Sequence, residues 1–303
     1  MTQGSVCVID FEGFSLKATD YDSVLPAAAK VSTHYVDGLR YRFYRDEFQP
    51  NNIVIVYHGG GVSMDAGYGI LARQLVTLSH LSVCLVDMRG HGDSVGEKGH
   101  LSHPTRLWQD VDRIITELKQ HYPHAKYQLL GHSSGAGMLI NYFTRYKPAH
   151  QINKLILLAP ELGPFARGIH REKSDTPFAQ VRQWPFILNA FSQGKFCGNY
   201  PAVQLNFPKN IGNVAGQMVD RYSVNMANAL TPRSPDKQVN ALPLPTLLLA
   251  AEFDELFDPQ AMAAFARKYG NSLLDFRLLS DCHHLDCLFH SCNLIGEFIN
   301  DVQ

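Results

Sequence analysis

The chain reads Gly131-His132-Ser133-Ser134-Gly135 between an apolar run, Tyr127 to Leu130, and a stretch from Ala136 to Tyr146 whose apolar residues recur at helical spacing. A Gly-x-Ser-x-Gly pentapeptide placed between a strand and a helix predicts one kind of turn. The chain must fold back so tightly that the residues two before and two after the serine have to be small. The serine is then held in a strained backbone conformation with its hydroxyl clear of the main chain. The amide of Ser134 falls at a helix N-terminus, where it can donate to a developing oxyanion. A glycine-rich surface loop would read the same in isolation, so the neighbouring segments decide.

Those neighbours alternate strand and helix. His34 to Tyr44 reads as a hairpin about Asp37-Gly38. Ile53 to Tyr57 is a continuous β-branched run, as in a central parallel strand covered on both faces, and ends in His58-Gly59-Gly60-Gly61. A helix is predicted over 67–78, a strand over 82–87, a helix over 104–122 and a strand over 153–159. From Glu161 to about Asn240 strand-like runs vanish, and Pro, Gly and aromatic residues accumulate, among them Phe165, Phe178, Trp184, Phe186, Phe191, Tyr200, Phe207 and Tyr222. The alternation resumes with a strand over 244–251, a helix over 259–269, a strand over 273–279 and a final helix over 285–299. Residues 1–33 carry no clear pattern. The order predicts an α/β chain with a doubly wound, mostly parallel sheet. It divides into a core (1–160), an inserted cap (161–240) and a second core part (241–303).

In such a sheet, active groups gather at the carboxyl ends of strands. A serine hydroxyl of ordinary acidity needs a base within hydrogen-bond reach, and that base is commonly oriented by a carboxylate. Past the strand ending at Ala251 stands Asp254; Asp258 reads as the N-cap of the next helix, and Glu252 and Glu255 as solvated. Glu161, past an earlier strand, is the second-choice carboxylate. Past Leu279 stand His283 and His284, either of which could be the base. The glycine run after Tyr57 leaves backbone N–H groups unshielded, and one of them can join the Ser134 N–H in binding an oxyanion. Each such donor is worth about 3 kcal/mol to a transition state. His91 with Asp93, and Cys282 with Cys287 and His290, have spacings that a metal could use, but neither set completes a tetrahedron locally.

These residues resemble the α/β-hydrolase superfamily, and within it the branch of monoacylglycerol lipases, lysophospholipases and serine aminopeptidase-like hydrolases. The resemblance covers roughly residues 34–160 and 244–299. It rests on His58-Gly59-Gly60-Gly61, on Asp87-Met88-Arg89-Gly90-His91-Gly92-Asp93-Ser94, on the glycine-rich step to His100, and on the order Ser133, Asp254, His284. His284-Leu285-Asp286 is similar to the His-Leu-Asp around the catalytic histidine of acid lipases, which selects His284 over His283. The same resemblance implies a first oxyanion donor at Gly60 or Gly61. Ser134-Gly135-Ala136 departs from the Met-Gly-Gly common in relatives but stays small enough for the turn.

The resemblance implies an alpha/beta hydrolase, a serine esterase of lipase-like type, that needs no cofactor and no metal. Its partner would be a small-molecule ester, and the aromatic insertion suggests an apolar acyl group. Transfer of the acyl group elsewhere, or thioester or amide cleavage, would use the same residues. A non-catalytic binding protein on this fold is a third possibility. A net charge of −1 without a basic patch disfavours nucleic acid. No apolar run is long enough to span a membrane. The N-terminus does not read as a secretory signal, and six scattered cysteines suit a reducing cytoplasm.

Overall fold

The computed structural model describes residues 9–26, 30–171, 177–208 and 218–301. Helix α1 (Phe11–Val24) precedes a hairpin of β1 (Lys30–Val36) and β2 (Leu39–Arg45). Its turn residues Asp37 and Gly38 both have positive φ, 48° and 77°, as the Asp-Gly pair predicts. There follow β3 (Asn52–Tyr57), α2 (Tyr68–Ser79), β4 (Ser82–Val86), α3 (Thr105–His121), β5 (Lys126–His132), α4 (Ser134–Arg145) and β6 (Lys154–Leu158). Next come β7 (Ala179–Val181), α5 (Gln183–Phe191), β8 (Pro201–Leu205), β9 (Arg221–Ser223), α6 (Val224–Leu230) and α7 (Pro235–Asn240). The chain continues through β10 (Thr246–Ala251), α8 (Pro259–Tyr269), β11 (Leu274–Leu279), α9 (Cys287–His290) and α10 (Cys292–Asn300).

Among the described residues, eight strands form one sheet in the order β1-β2-β4-β3-β5-β6-β10-β11. The pairs β1–β2 and β2–β4 are antiparallel and the rest parallel, so the expected doubly wound, mostly parallel sheet is present. The apolar runs explain its centre. Ile53, Ile55 and Tyr57 of β3 join Trp108, Leu139 and Met262 in the core on one face. Val54 and Val56 join Leu71, Leu75 and Ile295 on the other. A strand buried on both sides must be apolar at every position, and each such side chain contributes roughly 1.5–3 kcal/mol by leaving water.

Three parts differ from expectation. Residues 10–24, which carry no clear sequence pattern, form α1, capped by the Asp10 carboxylate on the Gly13 N–H at 2.8 Å. Its apolar residues dock on distant rings: Phe14 stacks on Phe289 and Phe11 packs on Phe178 and Phe207. The expected final helix is two, α9 and α10, separated at the buried Ser291, whose hydroxyl turns back to the Leu288 carbonyl. The stretch from Glu161 to Asn240 does contain strands: β7, β8 and β9 make a small antiparallel sheet. They are three to five residues long, too short for a period-2 signal.

The aromatics of this stretch also divide. Phe178, Phe207 and Tyr222 turn inward. Trp184, Ile187, Leu188 and Phe191 line one face of α5 and stay largely exposed, Phe191 at 84%. On that face Trp184 meets Tyr200 edge to face at 4.9 Å.

Candidate active site

The strand β5 runs between β3 and β6, with Gly131 opposite both Tyr57 and Leu157. The chain turns at Ser133 and enters α4 at once. A Cβ on Gly131 would lie 2.5 Å from the Ala136 nitrogen, and one on Gly135 2.4 Å from the Tyr57 carbonyl oxygen, so both positions require glycine. Ser133 is left at φ 53°, ψ −118°, a conformation that side-chain-bearing residues rarely adopt.

Three strand ends meet here. His284, after β11, has its Nε2 3.0 Å from Ser133 Oγ and its Nδ1 2.8 Å from Asp254 Oδ2. The other Asp254 oxygen accepts the backbone N–H groups of Leu256 and Phe257 at 2.8 and 2.9 Å. All three side chains are buried: Ser133 is 8% exposed, Asp254 and His284 2%. Burial disfavours the ionised Asp254, but the His284 imidazole and the two backbone donors outweigh it, and the carboxyl is held below its usual range. Burial likewise disfavours imidazolium at His284. The Asp254 charge and hydrogen bond prevail, with Glu255 and Glu161 adding to them, and the His284 pKa is raised.

The alternatives have other hydrogen-bond partners. His283 points away, half exposed, toward Asp286 at 3.7 Å. Glu161 pairs with His170 at 3.1 Å and accepts the Gly163 N–H. His91 is buried on the Arg89 carbonyl and the Tyr222 hydroxyl, and Asp93 pairs with Arg40. Asp258 caps α8 through Gln260 and Ala261. Glu255, expected to be solvated, instead accepts the His284 N–H at 2.9 Å. His132 grips the same residue from the other side, its Nε2 3.0 Å from the His284 carbonyl. Burial holds His132 neutral, its pKa pushed down to about 3. The backbone of the imidazole is thus held at both ends. Sequence reasoning missed both holders because only folding brings His132 and Glu255 to opposite sides of one residue.

The glycine run lies against this turn. A Cβ on Gly59 would lie 3.4 Å from Ser133 Cβ, and one on Gly60 3.0 Å from Ser134 Oγ. The Gly59 N–H donates to Tyr68 and the Gly61 N–H to Tyr222. The Gly60 and Ser134 N–H groups have no acceptor among the described residues. Gly61, expected as an alternative oxyanion donor, therefore has its N–H already engaged, while Gly60 keeps its own available.

The loop from Asp87 to Ser94 joins the glycine run through the Met88 N–H, which donates to His58 Nε2 at 3.1 Å. Buried Asp87 accepts the Met64 and Asp93 N–H groups, and Ser94 bridges the Asp87 carbonyl and the Arg40 N–H.

A family profile described as serine aminopeptidase, S33, matches residues 49–286. Protein phosphatase methylesterase 1 of Candida albicans is 34% identical over 116 residues, 38% of this chain and 31% of the relative. Monoglyceride lipase of Rattus norvegicus is 30% identical over 227 residues, 72% of this chain and 70% of the relative. The match thus spans under a third of the first of these relatives and over two thirds of the second. The solved structure of a soluble variant of monoglyceride lipase from Saccharomyces cerevisiae superposes with a TM-score of 0.64 at 14% identity, over 91% of this chain and 96% of that one.

Proposed function

The chain belongs to the serine aminopeptidase, S33, family and has the α/β-hydrolase fold, and on that premise we propose that it hydrolyses carboxylic esters through an acyl-enzyme on Ser133. The observation that carries this is the continuous hydrogen-bond chain from Ser133 Oγ through His284 to Asp254, set on a strained turn. As Ser133 Oγ attacks the acyl carbon, His284 Nε2 takes its proton. Asp254 keeps the proton on Nδ1, so that Nε2 is the free base, and stabilises the imidazolium that forms. The carbonyl oxygen becomes an oxyanion, received by the N–H groups of Gly60 and Ser134. His284 then gives its proton to the departing alkoxide. A water, deprotonated by His284, attacks the acyl-enzyme; as the acyl–Oγ bond breaks, His284 returns the proton to Ser133 Oγ and the acid leaves. These steps need no cofactor.

Esters are favoured over peptides on two grounds. Two of its relatives are named for a methylester and a monoglyceride. A free amino terminus would also call for an available carboxylate, and Glu161 and Glu255, the carboxylates beside His284, are already engaged. We assign residues 161–240 as a cap over Ser133, between core parts 1–160 and 241–303. Phe207, against Gly61, with Phe178 and Phe11 behind it, suits an apolar acyl group. No helix among the described residues is long and apolar enough to cross a membrane, and a cytoplasmic site of action remains our proposal.

The test is kcat/KM for p-nitrophenyl esters from acetate to dodecanoate, beside an aminoacyl p-nitroanilide. Each methylene that packs against Phe207 and its neighbours should add about 0.8 kcal/mol until that space is full. An anilide cleaved faster than every ester would overturn the assignment. So would a fluorophosphonate that labels a residue other than Ser133.

A further inference from the structure

Three successive peptide groups in the glycine run are each held by a different side chain. The N–H of Gly59 donates to the Tyr68 hydroxyl at 2.7 Å. The Gly59 carbonyl, in the same peptide group as the Gly60 N–H, accepts from His58 Nδ1 at 2.9 Å. The Met88 N–H occupies His58 Nε2, which fixes that tautomer. The N–H of Gly61 donates to the Tyr222 hydroxyl. What remains is the Gly60 N–H, between two clamped neighbours.

Tyr222 is the outlier among these holders. His58 and Tyr68 lie close by in the chain, but Tyr222 stands 161 residues from Gly61, on β9 of the inserted segment. We infer that Tyr222 is a positioning residue: with His91 behind it, it couples the inserted segment to the oxyanion site by orienting the Gly60–Gly61 peptide. The inference rests on Gly60 as an oxyanion donor, as proposed above.

The direction of the hydrogen bonds supports it. His91 is wholly buried, and burial keeps it neutral. Its Nδ1 lies 3.2 Å from the Arg89 carbonyl, which can only accept, so Nδ1 carries the proton. Its Nε2 must then accept, and it does so from the Tyr222 O–H at 2.7 Å. With its proton committed to His91, the Tyr222 oxygen presents lone pairs to the Gly61 N–H. The polarity of the whole relay is fixed by one buried neutral imidazole.

Two further contacts tie the same segment to the loop. The Val219 N–H donates to the Gly61 carbonyl at 2.8 Å, so Gly61 is bonded on both sides by the insertion. The Ser223 N–H donates to the Gly99 carbonyl at 3.0 Å, and a Cβ on Gly99 would lie 1.9 Å from the Arg221 carbonyl oxygen. Glycine at 99, with φ 68°, is what lets β9 approach closely enough for Tyr222 to reach.

The experiment compares wild type, Tyr222→Phe and Tyr200→Phe on the p-nitrophenyl ester that wild type turns over fastest. It measures kcat, KM, thermal midpoint and the Ki of an aryl trifluoromethyl ketone, whose tetrahedral adduct needs the oxyanion site. Tyr222→Phe should lower kcat roughly tenfold, a fraction of the 10²- to 10³-fold that loss of an oxyanion donor costs. KM should hold within about twofold, and Ki should rise in step with the fall in kcat. Tyr200, a tyrosine of the same segment that accepts from Arg182, should tolerate Phe with no change in kcat or Ki. His91→Phe removes the acceptor behind Tyr222 and should give part of the same loss. The double variant should lose no more than Tyr222→Phe alone. Additive losses, a loss confined to KM, or wild-type kcat and Ki in Tyr222→Phe would overturn the tether and leave the esterase assignment intact. A wild-type protein that neither cleaves an ester nor binds the ketone would overturn the esterase assignment instead.

Discussion

Ser133 sits at φ 53° and ψ −118° because β5 must turn into α4 within one residue. Such a conformation costs on the order of 1–3 kcal/mol in a residue with a Cβ. Glycine adopts it freely, so Ser133→Gly should be more stable than Ser133→Ala by about 1 kcal/mol in urea unfolding, although both lose ester hydrolysis. The partners of Ser133 can be tested through pH. In the mechanism we propose, His284 serves as a base only when neutral, and its pKa is raised above the ordinary 6.5. Activity should therefore rise with pH through a midpoint above that value, and Asp254, held below its usual range, stays ionised throughout. Asp254→Asn should lower kcat by about 10⁴. It should also move the acid limb of kcat/KM downward, because the charge that raises the His284 pKa is gone. Glu161→Gln removes a smaller contribution and should leave most of the activity. A large loss there, with Asp254→Asn nearly normal, would transfer the acid's role to Glu161.

At the scale of elements, the site depends on how closely α4 approaches β3. Gly135 permits that approach: an added Cβ would stand 2.4 Å from the Tyr57 carbonyl oxygen and 2.6 Å from that of His58, backbone atoms in the central sheet that cannot yield. Gly135→Ala should cost about 1–3 kcal/mol, read as a lower urea midpoint at unchanged slope. The same displacement would carry the Ser134 N–H away from Gly60, so kcat should fall more than the modest loss of stability suggests. Helix α1 presents the opposite case. Its own residues give it a weak helical signature, and it is held by others: Phe11 between Phe178 and Phe207, Phe14 on Phe289, and Lys17 paired with Asp286 beside the His284 loop. Helices held mainly by tertiary packing are hard to see in sequence.

Across the whole molecule, Phe207, Val219 and Tyr222 meet the glycine run at Gly61. Phe207 rests on Gly61, with its ring 2.5 Å from where a Cβ would stand. Phe207→Ala should open space there and move the acyl-length optimum of kcat/KM to longer chains. The gain would be about fourfold per added methylene, the equivalent of 0.8 kcal/mol. An unchanged optimum would take Phe207 out of the acyl site. The sheet, the turn at Ser133, and a carboxylate and a histidine pair past two later strand ends were legible in the residues alone, while the preference for His284 over His283 came from the resemblance to acid lipases. Strand burial, glycine-dependent turns and polar groups just past strand ends are local signals, each carried by a few consecutive residues. Folding alone decided that Glu255 and His132 brace His284, that α1 docks on rings more than 150 residues away, that α5 turns its apolar face outward, and that Tyr222 reaches Gly61. Those contacts join segments far apart in the chain, and no local pattern of apolar, polar or glycine residues records which distant surface each will meet.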